Sequence, residues 1–450
     1  MIFDIDKQTI RDLELFSDKK NAKSVYNFYK RTETNGGQES LYEMLNGPVS
    51  DLGFLQARKD SISFFINHDC RLNLHSRQVD YVEFYLRNRR FPLRDNIIDA
   101  TFNGISNKFS PDSDYYIISE GVFHIIQFLQ DLHKFIIEVN SLQVSSFLDI
   151  DFQIIKKITA SKVITEVLND PPEKIVDLSY SRINKLDHFF RVSNKDLFRD
   201  LLIIIYKIDV LQTLAMFVKT EGFSLPEYVT AKNPVFEVNG GFHPFLDSPA
   251  TNSFSFESNS SLCFLTGPNM SGKSTFLKTM GLMIYLSHIG FPVPAKHLTT
   301  TVFGGLFTTI NLTDNLNLGY SHFYSEVRRV KDIAVMINSK KNLVIIFDEL
   351  FRGTNVKDAY DASLMIISAL AKIRDNLFFV STHILEVAES IDNKDSIMFR
   401  CFESDLIDQQ PSYDYKIKDG ISSERIGLLI IKNERIPEIL DEIVRKQSHS

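Results

Sequence analysis

Apolar positions in the first half of the chain recur at three- and four-residue spacing. Val122, Ile125, Ile126, Leu129, Leu132, Ile136 and Ile137 follow it. At 3.6 residues per turn this predicts one buried face on a long helix. Ser193 to Val218 predicts a second helix, capped by Ser193 or Asn194. Its most apolar part, Leu201–Val218, is interrupted by Lys207, Asp209 and Gln212. A membrane span needs about 20 nearly uncharged residues, so the run reads as a buried helix.

The pattern changes after Gly222. Pro226, Pro234, Gly240, Gly241, Pro244 and Pro249 punctuate short apolar runs, which favours turns and short strands. Leu262–Thr266, Leu343–Phe347 and Leu377–Ser381 read as strands, each followed by a polar loop and a helix-like segment. Strands alternating with helices predict a mostly parallel sheet flanked by helices. The expected organisation is an all-helical domain over 1–230 and an α/β domain over 231–450.

With 450 residues, 44% of them hydrophobic, the chain has material for two to three domains. The net charge of −7 counts against extensive phosphate contact, which needs Lys and Arg, without excluding a local basic patch. Cys70, Cys263 and Cys401 are far apart and form no CxxC pair, which suggests neither a disulfide framework nor a zinc site. Met1–Leu15 is polar and acidic, unlike a signal peptide, so a cytoplasmic, reduced setting and no membrane are expected.

Candidate chemistry begins at Gly267-Pro268-Asn269-Met270-Ser271-Gly272-Lys273-Ser274, which fits GxxxxGK[ST]. A strand-like run precedes it, and Phe276, Leu277, Met280 and Ile284 mark an amphipathic helix after it. The glycines let backbone N–H groups turn inward to phosphate oxygens, and the helix N-terminus adds partial positive charge. Lys273 is expected to reach the β- and γ-phosphates, and the Ser274 hydroxyl to ligate magnesium. The competing reading is a chance glycine-rich turn. Asp348-Glu349 end a buried strand, where parallel sheets bind ligands. Asp348 is the expected partner of Mg2+, and Glu349 is placed to orient or deprotonate the attacking water. Read alone, the pair is better taken as a solvated strand end; beside the glycine-rich loop that becomes the minor reading. His383, at a third strand end, reads either as a γ-phosphate sensor or as a capping or core residue.

Thr266–Thr275, with Pro-Asn-Met between the glycines, resembles the phosphate loop of the MutS ATPases. Ile289–Ala295, Asp314–Glu326, Asp348-Glu349-Leu-Phe-Arg352-Gly353-Thr354 and Ser381-Thr382-His383 resemble further segments of that family, in family order. Asn35–Leu41, Pro48-Val49, Gln56–Arg58, Asp209–Ala215, Pro234–Asn239 and His243-Pro244 resemble its lever helices and the start of its ATPase. Asp419-Gly420 and Gly427-Leu428 resemble its C-terminal part.

The resemblance implies a helical lever domain, with a reduced or absent DNA clamp, and a P-loop, ABC-like ATPase domain with C-terminal dimerisation helices. ATP and Mg2+ would be its cofactors. It implies a homodimer in which Ser321 reaches the partner's γ-phosphate. Asn269 would sit near the γ-phosphate, His383 would switch with nucleotide state, and Tyr415 would lie near adenine. Gly267 to Thr275 would hold the phosphates. Three departures accompany this. The chain is expected to be a short form without the mismatch-reading and connector domains. Phe351 stands where the family usually has Gly. Ser248–Asn252 lacks an aromatic to stack on adenine.

The implied function is a DNA-associated ATPase of mismatch repair or recombination, with double-stranded DNA and an unidentified repair protein as partners. Arg71, Arg77, Arg87, Arg89, Arg90 and Arg94 interleave with Tyr81, Phe84, Tyr85 and Phe91, which could suit phosphate contacts and base stacking but is read first as a solvated helical face over a core stripe. The alternative is a nucleotide-switched interaction module that does not touch DNA. A transporter ATPase is set aside because no LSGGQ-like sequence is present.

Overall fold

The computed structural model describes residues 2–17, 22–68, 70–88, 92–93, 113–142, 144, 146–311, 322–391, 394–407, 410–422 and 435–448. The chain forms two compact units. One comprises Met1–Asn27, Pro48–Gln56 and Gly222–Ser450, the other Phe28–Gly47 and Ala57–Glu221.

The first unit is built on a sheet of seven strands. In chain order these are β1 (Asp4–Ile5), β5 (Leu262–Thr266), β7 (Gly305–Thr309), β8 (Leu343–Phe347), β9 (Leu377–Ser381), β10 (Ile397–Phe402) and β11 (Ile417–Asp419). Their spatial order is β1-β7-β8-β9-β5-β10-β11, and every pairing is parallel except β10 with β11. The strands β5, β8 and β9 are buried on both faces, so their sequences are uninterrupted apolar runs. Side chains alternate across the sheet. Phe264, Ile345, Phe347, Phe378 and Val380 join the core formed with Ile333, Ile367 and Val387 of the helices His322–Ser339, Val356–Leu370 and Leu385–Ser390. Phe379 points the other way, against Phe236, Phe254 and Phe256. A smaller sheet runs β2-β6-β3-β4, from Glu227–Tyr228, His297–Thr300, Phe236–Gly241 and Asn252–Ser255.

The all-helical reading of 1–230 is corrected at both ends, because Asp4–Ile5 and Glu227–Tyr228 are strands. Two residues are too few to display a strand's alternation, and β1 is held through its backbone pairing with β7.

The second unit carries helices and no strand among the described residues. Helix Ser113–Val139 buries Val122, Ile125, Ile126, Leu129, Leu132 and Ile136, whereas Ile137, one residue round the turn, is exposed. Helix Lys195–Thr220 has Asn194 at its cap position. It is long and apolar enough to cross a membrane by length and composition, yet 67% of its most apolar window is buried. Of the basic and aromatic stretch, Tyr81 and Phe84 are exposed, Tyr85 is buried, and Arg71 and Arg87 pair with Glu33 and Glu83. Arg89, Arg90, Phe91 and Arg94 lie outside the described residues.

Candidate active site

Strand β5 leads through the loop 267–272 into helix Lys273–His288. Gly267 has φ 143°, and a Cβ there would lie 2.7 Å from the Phe402 carbonyl oxygen. Gly272 caps the helix at φ 103°, in the left-handed region that glycine enters without penalty. Met270 shares that region and is exposed. The Lys273 ammonium is turned back on the loop, donating to the carbonyls of Gly267 at 2.8 Å and Pro268 at 2.9 Å. Burial lowers its pKa, opposed by Glu349 and Asp348. The Ser271 hydroxyl is buried and has no protein partner.

The tips of β8 and β9 close this loop from one side. Asp348 accepts from the hydroxyls of Ser274 and Ser381, each at 2.5 Å, and its N–H donates to the Thr309 carbonyl at 2.9 Å. Burial raises its pKa against those hydroxyl bonds. The Glu349 N–H donates to the Ser381 hydroxyl at 3.0 Å. Its carboxylate accepts from His383 Nε2 at 2.5 Å and Arg352 Nη1 at 2.9 Å. The His383 bond, then that of Arg352, overcome desolvation and hold its pKa at about 2.

A cavity of about 490 Å³ lies over the loop, lined by Asn269, Lys273, Ser274, Thr275, Glu349 and Tyr415, with Phe242, His243, Leu246 and Phe402. Asn252 donates to the Tyr415 carbonyl at 3.0 Å and accepts from the Ile417 N–H at 2.9 Å. The segment 248–252 thus fixes the Tyr415 turn. A second cavity, of about 220 Å³, lies beyond Ser274 and is lined by Thr309, Ile310, Asn311, Glu326, Asp348, Glu349 and Phe351.

The structure therefore brings together the loop 267–275, Asp348, Glu349, His383 and Tyr415. Ser321 lies outside the described residues. Sequence reading assigned no role to Ser381, Arg352 or the cavity wall Phe242, His243 and Phe402. Ser381 and Arg352 stand within recognised motifs, but nothing in their spacing shows which carboxylate each would meet. Phe351 is buried at φ 61°, against Phe323 with ring centroids 5.9 Å apart. Its backbone sits in the left-handed region that glycine enters freely, so the departure at this position has a visible conformational cost, of roughly 1–2 kcal/mol.

The donors fit a phosphate ester and Mg2+. A buried hydroxyl without a partner sits in a glycine-rich loop at a helix N-terminus. A hydroxyl and a carboxylate meet beside it, and Mg2+ takes few protein oxygens because phosphates and water complete its shell.

The buried His288 and the half-buried His243 of this unit give a pH prediction. His288 donates from Nδ1 to the Ile284 carbonyl at 2.7 Å and accepts at Nε2 from the Phe303 N–H at 2.7 Å, an arrangement that requires the neutral ring. Burial lowers its pKa from 6.5 to about 4, and that of His243 likewise. Both folded values are depressed, so their contribution is complete above about pH 6.5. It is lost as the pH falls toward 4, because the unfolded chain takes up the protons first. The loss is roughly 3 kcal/mol for His288 and smaller for His243, which faces a solvent-open cavity. Urea midpoints measured from pH 7.5 to 4.5 should decline through this window; a flat profile contradicts it.

Residues 263–449 match the family model described as MutS domain V. The chain is 30% identical over 280 residues to proteins described as DNA mismatch repair protein MutS from Bacillus cereus (strain B4264), Bacillus cereus (strain Q1) and Bacillus thuringiensis (strain Al Hakam). Each alignment covers 60% of this chain and 30% of the relative, so the chain matches less than a third of those proteins' length.

Proposed function

On the premise that the chain belongs to the MutS family through its domain V, we propose that its first unit binds and hydrolyses Mg-ATP at a site completed by a second copy. The observation that carries this is the convergence of Lys273, Ser274, Asp348 and Glu349 on one loop. The Gly267–Thr275 loop amides and the Ser271 hydroxyl receive phosphate oxygens. Lys273 exchanges its own loop's carbonyls for β- and γ-phosphate, and Asn269 lies beside the γ-phosphate. Tyr415 flanks the base. Ser274 and Asp348 hold Mg2+, which when bound neutralises charge developing on the phosphates. Glu349 orients the attacking water, and His383, bonded to it, links its position to nucleotide state.

Ser321 of one copy would meet the other's γ-phosphate in a two-fold dimer. ATP then favours dimerisation, because a ligand touching both subunits binds the pair better. Lys273→Ala should abolish nucleotide binding, while Ser321→Ala should keep binding and lose turnover. A mixture of the two variants regains up to one intact site per heterodimer, so its turnover should exceed that of either alone. A mixture as inactive as its parts, with no ATP-dependent dimer by light scattering, refutes the composite site.

We further propose that this cycle is coupled to double-stranded DNA in mismatch repair or recombination, in the cytoplasm. One observation favours the second reading, a nucleotide-switched protein-interaction module: Arg71 and Arg87 already pair with carboxylates, and Tyr85 is buried. A salt titration with perfect, mismatched and branched duplexes separates the two. Binding that weakens steeply with salt supports DNA, and no binding at low salt supports the module.

A further inference from the structure

The first residues of the chain are part of the same unit as the phosphate loop. Asp12, at the end of helix Lys7–Asp12, is 1% exposed. A buried carboxylate is costly unless its lone pairs are satisfied. Its two oxygens accept four hydrogen bonds: Thr308 Oγ at 2.7 Å, Ile310 N at 2.9 Å, Asn311 N at 3.1 Å and Gln8 Nε2 at 2.8 Å. Three of the four come from the carboxyl end of β7. Thr9 Oγ accepts from Thr308 N at 2.9 Å, and Gln8 donates a second bond to the Asn311 carbonyl at 2.9 Å. Asp6 pairs with Arg329, whose guanidinium also donates to the Thr308 carbonyl and the Thr309 hydroxyl.

The strand end held in this way is a wall of the active site. Thr309 accepts the backbone N–H of Asp348, and Thr309, Ile310 and Asn311 line the cavity beyond Ser274, opposite Asp348 and Glu349. We propose that Asp12 is a positioning residue for ATP hydrolysis. It fixes the 308–311 turn, and through Thr309 the backbone that presents the Asp348 carboxylate to Ser274. The inference rests on the ATPase reading of that site.

The test is single-turnover hydrolysis by the full chain with enzyme in excess. With folded enzyme saturating over ATP, the rate constant does not depend on the folded fraction and reports the chemistry, so a loss of folded protein alone leaves it unchanged. Asp12→Ala should slow the rate constant by about tenfold or more, since misplacing a reacting group by a fraction of an ångström is amplified at this scale. Amide exchange at Ile310, Asn311 and Asp348 should rise with it. Asp12→Asn keeps an oxygen for Thr308 and Ile310 but turns an amide N–H toward the Asn311 N–H, and should recover only part of the rate. If Asp12→Ala does not fold, Thr308→Val and Gln8→Ala each remove part of the same network and should slow the rate constant by about two- to fivefold. Rate constants within 1.5-fold of the parent, in Asp12→Ala or in both substitute variants, overturn the positioning role alone. A parent chain that hydrolyses no ATP overturns the ATPase reading and this inference with it.

Discussion

Replacing Glu349 by Gln is expected to leave Mg-ATP binding intact and to slow hydrolysis by about 10²–10⁴-fold, the usual contribution of a group acting on the nucleophile. Gln keeps the volume and one acceptor but loses the charge. The parent carboxylate is bonded to His383 and Arg352, which hold its pKa at about 2. It is therefore ionised at neutral pH but weakly basic, which supports orienting the water over taking its proton. Its backbone is equally constrained. Glu349 and Phe351 have φ 60° and 61°, and the buried Leu350, the buried Phe351 and the bond from the Glu349 N–H to Ser381 keep the turn in place. The measurement pairs nucleotide affinity by fluorescence with the steady-state rate. A Gln variant turning over within twofold of the parent would remove Glu349 from the reaction, and one that no longer bound nucleotide would make it a binding residue.

The parts of the fold that could be read from sequence were those with a single dominant physical demand. Strands β5, β8 and β9 coincide with the apolar runs Leu262–Thr266, Leu343–Phe347 and Leu377–Ser381, because burial on both faces leaves no room for polar alternation. The turn 267–272 between strand and helix was legible because Gly267 and Gly272 hold positive φ that glycine enters without penalty. What stayed hidden depended on distant partners. Strand β1 is two residues long and exists through its pairing with β7, some 300 positions later. Tyr85 lies in a basic, aromatic stretch that reads either as a contact surface or as a solvated face over a core stripe, and its burial on Asp187, a 100° turn of helix from the exposed Phe84, assigns it to the core. Within the site, Asp348-Glu349 and His383 stood out as strand-end polar groups. That Ser381 would bond both members of the carboxylate pair, and Arg352 only Glu349, follows from the left-handed turn at 349–351, which no spacing rule encodes.

The helical unit should lose about 3–5 kcal/mol when Asp187 is replaced by Ala, the typical cost of removing one partner of a buried ion pair. Asp187 is fully buried and accepts from Tyr85 Oη at 2.5 Å, Leu93 N at 2.6 Å, and Arg191 Nε at 2.6 Å and Nη2 at 2.7 Å. Arg191 lies in the π-helical turn Phe189–Ser193, a local widening of the helix, and its side chain is 3% exposed. Alanine at 187 would take the carboxylate away from the buried Arg191 guanidinium, the Tyr85 hydroxyl and the Leu93 N–H together. The size of the loss comes from leaving that buried charge without its counter-ion more than from the attraction removed, because taking both charges out of water already offsets much of the pair's Coulomb energy. A compensated variant tests the argument. Asp187→Leu with Arg191→Met and Tyr85→Phe removes the charge and the hydroxyl at similar volume, leaving only the Leu93 N–H without the carboxylate, and should lie about 2 kcal/mol or more above the single variant. Urea unfolding followed in the transition of the helical unit reads both, since the two units need not melt together. A single variant costing under 1 kcal/mol would mean that water or a rearranged chain reaches Arg191. A triple variant no better than the single one would mean that the network holds the π-turn by its geometry, and that charge burial is not what makes Asp187 indispensable.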